Sequence, residues 1–145
     1  MWKSLLRLLP GVSGKALDSA EARAESAGLH LRDVLEAHTA WKKRLERLLE
    51  EGDEGRIDLV TIADDRICEL GRWLHGPGKG AYGRLPEYQE AVDAHAAFHK
   101  AAAEVVIEYK SGAHERAVEL LRGKFREASN HNQMALVNLF MAGRD

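Results

Sequence analysis

Apolar residues in this chain recur at alternating steps of three and four, the spacing of one face of an α-helix, and this rhythm limits what the chain can fold into. It runs through Leu31, Val34, His38, Trp41, Leu45 and Leu48, and resumes in Val92, His95, His99, Ala102, Val106 and Tyr109. It returns in Val118, Leu121, Phe125, Ala128, Asn132, Ala135 and Leu139. No run of alternating β-branched residues asks for a strand, and only three prolines interrupt the chain. A shorter helix is expected from about Leu59 to His75, with Cys68 at its middle, between the break "EGDEG" and the glycine-rich connector "HGPGKGAYG". Pro86 suits the first turn of the helix after it. The pattern predicts an all-α fold: an antiparallel four-helix bundle with a short N-terminal helical extension.

A length of 145 residues suits one core. Residues 1–28 are expected to form an amphipathic segment and linker, and 29–141 the bundle. "MWKSLLRLLPG" mixes Trp2, Leu5, Leu6, Leu8 and Leu9 with Lys3 and Arg7, which suits packing on its own domain or a sister subunit, or lying on a membrane surface. The stretch "KALDSAEARAESAG" offers almost no apolar face and reads as a loose linker or an extension of the first helix. With 21 basic and 23 acidic residues, the formal charge of −2 leaves no positive excess to hold a phosphate backbone, so nucleic acid is a poor partner. No apolar run approaches the roughly 20 residues of a membrane span. A lone cysteine without a signal-peptide pattern predicts the cytoplasm.

Chemistry concentrates in His38, Cys68, His95 and His99, which fall on three expected helices. His95 and His99 are one turn apart on one face, and all three histidines sit where apolar residues sit. Imidazole nitrogen and thiolate sulfur suit tetrahedral zinc, whereas calcium and magnesium require oxygen. Burying three imidazoles with unpaired nitrogens is costly, and a shared metal would satisfy one nitrogen on each. Gly71, one turn past Cys68, would let a neighbouring helix come close.

Each residue alone has a plainer reading. A single histidine on an apolar seam is more often a hydrogen-bonded core residue than a ligand, and a lone buried cysteine is usually a small hydrophobe. Trp41 and Trp73 read as core aromatics, and His30, His75, His114 and His131 as surface or loop residues. Asp64 and Asp65 are candidates to orient a ligand imidazole, against the default of solvated carboxylates. Asn132 interrupts an apolar seam, as a buried polar contact or a solvent-facing residue. The glycine-rich connector is no phosphate loop, because Gly78-Lys79 is followed by Gly80 and preceded by a helix. A di-iron bundle would need inward Glu and Glu-x-x-His motifs that these seams lack.

Three motifs in order, "HTAW", "CELGRW" and "HAAFH", with the intervening "YGRLPEY", resemble the chemoreceptor zinc-binding (CZB) domain family of bacterial signalling proteins over about 29–139. The resemblance implies that His38, Cys68, His95 and His99 are zinc ligands and that the bundle forms a homodimer reporting zinc or oxidant to a neighbouring signalling protein. Family members are typically attached to chemotaxis receptors or diguanylate cyclases. Neither partner module is evident in these 145 residues, so signal transduction is expected to pass to a separate partner or to be absent.

A site with four protein ligands leaves no position for a reacting water, so no enzyme activity is expected. The electron-rich thiolate of Cys68 is open to oxidants such as hypochlorous acid, which predicts a redox-reactive sensor. A zinc buffer or delivery protein, and a partner-binding bundle stapled by zinc, are the alternatives.

Overall fold

A computed structural model describes residues 14–52 and 57–143. The amphipathic segment at residues 1–11 lies outside them. The elements are α1 (Gly14–Ser26), α2 (Leu31–Glu51), α3 (Leu59–Ala63), α4 (Glu69–Leu74), α5 (Pro77–Tyr82), α6 (Pro86–Lys110), α7 (His114–Leu120) and α8 (Arg126–Ala142). A π-helical turn, Leu121–Phe125, joins α7 to α8 in one rod. The fold is all-α, with no strand among the described residues.

α2, α6 and the α7–α8 rod follow the three-and-four rhythm. α6 begins with Pro86 in its first turn, where a missing N–H costs nothing, and passes through Ser111 into a turn at Gly112, whose φ of +89° suits glycine. α6 packs most extensively on α8. Its alanines at 91, 94, 101, 102 and 103 are buried, so the two backbones come close.

One expectation fails. The helix expected from Leu59 to His75 is instead two short helices with residues 64–68 between them. Asp58 caps α3 by accepting from the Val60 N–H (3.1 Å), and the Asp64 carboxylate accepts from the Arg66 N–H (2.9 Å), turning the chain out of the helix. The connector after it contains α5, with Pro77 in its first turn and Gly78 pressed on the Trp73 ring. Of the two readings of residues 15–28, loose linker or helical extension, the helical one holds: α1 buries Leu17, Ala20 and Ala24 against α2 and α8.

The core has two apolar clusters. One holds α1, the first turns of α2, α4, the start of α6 and the end of α8; the other holds the end of α2, Ile62, the remainder of α6 and the π-turn region. Along α2 the clusters separate between Leu35 and Leu45, and along α6 between Ala94 and Phe98. The polar site occupies that seam.

Candidate metal centre

His38, His95 and His99 are each at most 5 % exposed, so their imidazoles must find partners within the protein. α2 supplies His38 and α6 supplies His95 and His99, one turn apart. Cys68 enters from the opposite direction as the residue capping α4, and its Sγ accepts from the Gly71 N–H (3.3 Å). Gly71 is required here. A Cβ at that position would lie 1.9 Å from the Asp65 carbonyl oxygen, so the chain at 65–66 folds directly over it. The close approach expected of a neighbouring helix is made by Cys68's own loop.

The structure brings the four side chains together. Cys68 Sγ lies 3.3 Å from His95 Nε2, 3.7 Å from His99 Nε2 and 3.9 Å from His38 Nε2. His95 Nε2 and His99 Nε2 are 3.0 Å apart, and all four ligand atoms fall within 4.8 Å of one another. Metal bonds of about 2.0 Å to nitrogen and 2.3 Å to sulfur, set tetrahedrally, put ligand atoms about 3.3 Å (N to N) and 3.6 Å (N to S) apart. The three sulfur-to-nitrogen separations bracket the second edge, and the nitrogen pair lies about 0.3 Å inside the first.

Two tautomers follow from the hydrogen bonds. His38 Nδ1 is 2.7 Å from the Val34 carbonyl and His99 Nδ1 is 2.8 Å from the Ile62 carbonyl. A carbonyl oxygen only accepts, so each Nδ1 carries the proton and each Nε2 presents a bare lone pair to the cluster. Lone pairs facing one another in a buried space repel, and a shared cation removes that conflict. The donor set therefore fits a four-coordinate metal ion.

Electrostatics point the same way. Burial, opposed by the Val34 carbonyl and reinforced by His99, brings His38 from its ordinary 6.5 to about 4. His95 falls to about 2, chiefly through burial and then through His99, His38 and His75. Both are held neutral, the form that ligates metal. Burial also pushes the Cys68 thiol above its ordinary range, against the Gly71 N–H that pulls it down. In a metal-free protein the thiol therefore stays protonated at neutral pH.

Backbone carbonyls, not carboxylates, orient His38 and His99. Asp64 spends its carboxylate on the Arg66 N–H, and Asp65 Oδ2 faces His75 Nε2 at 3.9 Å. Neither orients a ligand imidazole. Sequence offers little sign of a carbonyl such as that of Ile62, which belongs to no residue type. Phe98 also escaped notice: its ring meets His38 and His99 edge to face, with centroids 5.0 and 5.5 Å apart. Its place inside "HAAFH" was the available signal.

The remaining readings sort simply. Trp73 is a core aromatic whose Nε1–H donates to the Ala27 carbonyl (2.8 Å), while Trp41 is half-buried beneath the Arg44 guanidinium. His30, His114 and His131 are exposed and His75 is half-buried. Asn132 is fully buried, and neither end of its amide has a hydrogen-bond partner among the described residues; His95 Nδ1 is in the same position.

Compared with known proteins, residues 38–106 match the family model of the chemoreceptor zinc-binding domain, an interval that contains all four clustered residues. No curated protein and no solved structure matches the chain.

Proposed function

We propose, from the match of residues 38–106 to the chemoreceptor zinc-binding domain model, that this protein is a zinc-bound regulatory module in which His38, Cys68, His95 and His99 are the ligands and Cys68 is the oxidant-reactive group. The observation that carries the reading is the cluster of four ligand atoms within 4.8 Å of one another, in which two histidines already present bare Nε2 lone pairs. Zinc supplies the positive charge that holds the Cys68 sulfur as a thiolate. With four protein ligands, the site serves structure and regulation, not hydrolysis, and the protein acts by binding rather than by turnover.

In the reactive step the Cys68 thiolate sulfur attacks the chlorine of hypochlorous acid, and water then replaces chloride on sulfur. The net change is RS⁻ + HOCl → RSOH + Cl⁻, with sulfur oxidised by two electrons and chlorine reduced by two. Sulfenic acid is a poor ligand, so oxidation detaches the 64–74 segment from the histidine cluster. Its displacement is the signal passed to a partner protein. A reducing cytoplasm, which keeps Cys68 available between oxidant pulses, is the compartment that suits this chemistry. A homodimer fits the same reading and is checked by sedimentation.

The decisive experiment measures zinc content, free thiol and helicity on one sample before and after hypochlorous acid. One zinc per chain, lost in step with the thiol and with a reversible structural change, is the expected result. Absence of stoichiometric zinc ends the reading. Zinc that exchanges freely with no structural change supports a buffer or delivery protein instead.

A further inference from the structure

Outside the metal site, a groove of about 640 Å³ runs between α2 and the α7–α8 rod, a volume that suits a small organic ligand. α2 and the rod are antiparallel: the first turns of α2 share one apolar cluster with the end of α8, and Leu45 and Leu48 share the other with Ala117, Leu120 and Leu121. A 3.0 Å hydrogen bond from Gln133 to Thr39 fixes the register at one end. Counting from it in opposite directions puts Lys42 near the level of Ser129 and Asn130, Glu46 near Arg126, and Glu50 near Arg122, all of them groove residues.

The two ends of the groove differ in chemistry. At the Thr39 end the lining is polar and its one charge, Lys42, is positive, with no ion pair among the described residues. Ser129 and Asn130 beside it are half-buried, and their side chains have no hydrogen-bond partner among the described residues. The Thr39 hydroxyl accepts from Gln133 and still has its own proton to give. Farther along, charge balances across the groove, Glu46 against Arg126 and Glu50 against Arg122. Between those rims the wall is apolar, made of Leu49, Val118, Leu121 and Phe125. Leu121 and Phe125 begin and end the π-helical turn, a departure from α-helical bonding found mostly where a helix serves a function.

We propose that this groove binds a single-chain carboxylate amphiphile, a medium-chain fatty acid, with its carboxylate at Lys42 and its alkyl chain along Leu49, Val118, Leu121 and Phe125. A carboxylate only accepts hydrogen bonds, and the Lys42 ammonium, the Thr39 and Ser129 hydroxyls and the Asn130 amide N–H are all able to donate. One uncompensated positive charge matches a monoanion better than a dianionic phosphate ester. Glu46, the nearest carboxylate on α2, is one turn farther along and faces Arg126. The apolar wall, flanked by balanced charges, takes an uncharged chain. From Lys42 to Glu50, α2 rises about 12 Å, the length of a chain of about ten carbons. The inference does not depend on the metal reading.

Equilibrium dialysis of decanoate against the full chain, below the concentration at which decanoate forms micelles, tests it. One decanoate per chain is expected, and decanol and decylamine should bind about tenfold more weakly, because neither brings a negative charge to Lys42. That comparison of ligands needs no variant. Lys42→Glu, a change at an exposed position, should weaken decanoate by about tenfold and leave decanol unchanged, whereas Val118→Glu should weaken both. The absence of saturable binding overturns the proposal, as does equal binding of decanoate and decanol, or binding indifferent to both variants. A chain that binds phosphatidylglycerol vesicles but not free decanoate assigns the groove to a membrane surface, and decanoate binding that emerges only on dilution of the protein assigns it to a second copy; either result also overturns it.

Discussion

The metal cluster has a histidine half and a cysteine half, and they are built differently. His95 and His99 stand on α6, a 25-residue helix buried along most of one face, and His38 stands on the 21-residue α2. His38 and His99 are pinned by carbonyl hydrogen bonds that exist without a metal. Cys68 stands on the link between two helices of five and six residues, with Val60 and Ile67 exposed beside it. Helices that short draw their order from contacts with the remainder of the protein. The histidine half thus stands largely prebuilt on α2 and α6, borrowing the Ile62 carbonyl from residues 57–75, while the cysteine half is a link between two short helices that the fourth ligand ties to it.

Removing the metal should break the symmetry between the halves most strongly. Chelation is expected to raise hydrogen exchange across 57–75 by tenfold or more, with α6 and the α7–α8 rod changed little. Structural zinc in small domains is worth on the order of 10 kcal/mol of binding free energy, ample to order so short a segment. If α6 melts together with 57–75, the histidine half is not prebuilt and the comparison fails.

Ligand deletions sharpen the same contrast. Cys68→Ala is expected to weaken zinc retention beyond the 10- to 100-fold typical of losing a supporting contact, with helicity nearly unchanged. His95→Ala should weaken it comparably and also leave a hole on α6, costing about 1–3 kcal/mol in urea unfolding. Equal stability losses for the two would mean that the cysteine loop packs as firmly as the helix.

Gly71→Ala probes the loop without touching a ligand. The added methyl meets the Asp65 carbonyl, so residues 65–68 must shift and carry Cys68 with them. A stability loss of about 1–3 kcal/mol is expected, with faster thiol oxidation because Cys68 is held less tightly. An unchanged thiol reaction rate would show that the loop adjusts without moving the sulfur.

Acid should act on the histidine half alone. In metal-free protein, His38 titrates near 4 folded and near 6.5 unfolded, so between those values the unfolded chain binds more protons. Stability is complete above pH 6.5 and falls as pH drops towards 4, by roughly 1.4 kcal/mol per pH unit for each such histidine. His95 extends the loss to lower pH. Urea midpoints against pH should show this slope, and His38→Gln should reduce it.

The same contrast explains what was legible in the sequence. His38, His95 and His99 could be placed because helical periodicity positions a residue without knowledge of anything distant. Cys68 could be singled out by type and by "CELGRW", but its surroundings could not, because Asp58, Asp64 and the space over Gly71 break the expected helix through contacts that periodicity does not encode. α1 was underread for another reason. Leu17, Ala20 and Ala24 keep the three-and-four step, but alanine contributes so little hydrophobicity that the face stands out only once Phe140 and Leu136 are seen packed with it.

The smallest expected effect concerns His95, whose Nδ1, unlike those of His38 and His99, meets no carbonyl among the described residues. His131 meets Glu90 at 2.8 Å and Phe98 packs on Phe125, so α6 and α8 run antiparallel with Asn132 about 7.5 Å along the axis from the level of His95. Side chains lean towards the N-terminus of their own helix, and in an antiparallel pair that lean carries Asn132 and His95 towards each other. Both are buried, and both have polar atoms with no hydrogen-bond partner among the described residues. Placing the Asn132 amide oxygen as acceptor for His95 Nδ1–H would give the third imidazole the same tautomer as the other two. Asn132→Leu is therefore expected to weaken metal retention about tenfold, at the low end for supporting contacts, while Asn132→Asp retains it. Competition with a chelating dye would read the difference, and cobalt substitution would show whether the site's spectrum shifts. Unchanged retention and spectrum in Asn132→Leu would reduce Asn132 to a packing residue and leave His95 held by α6 alone.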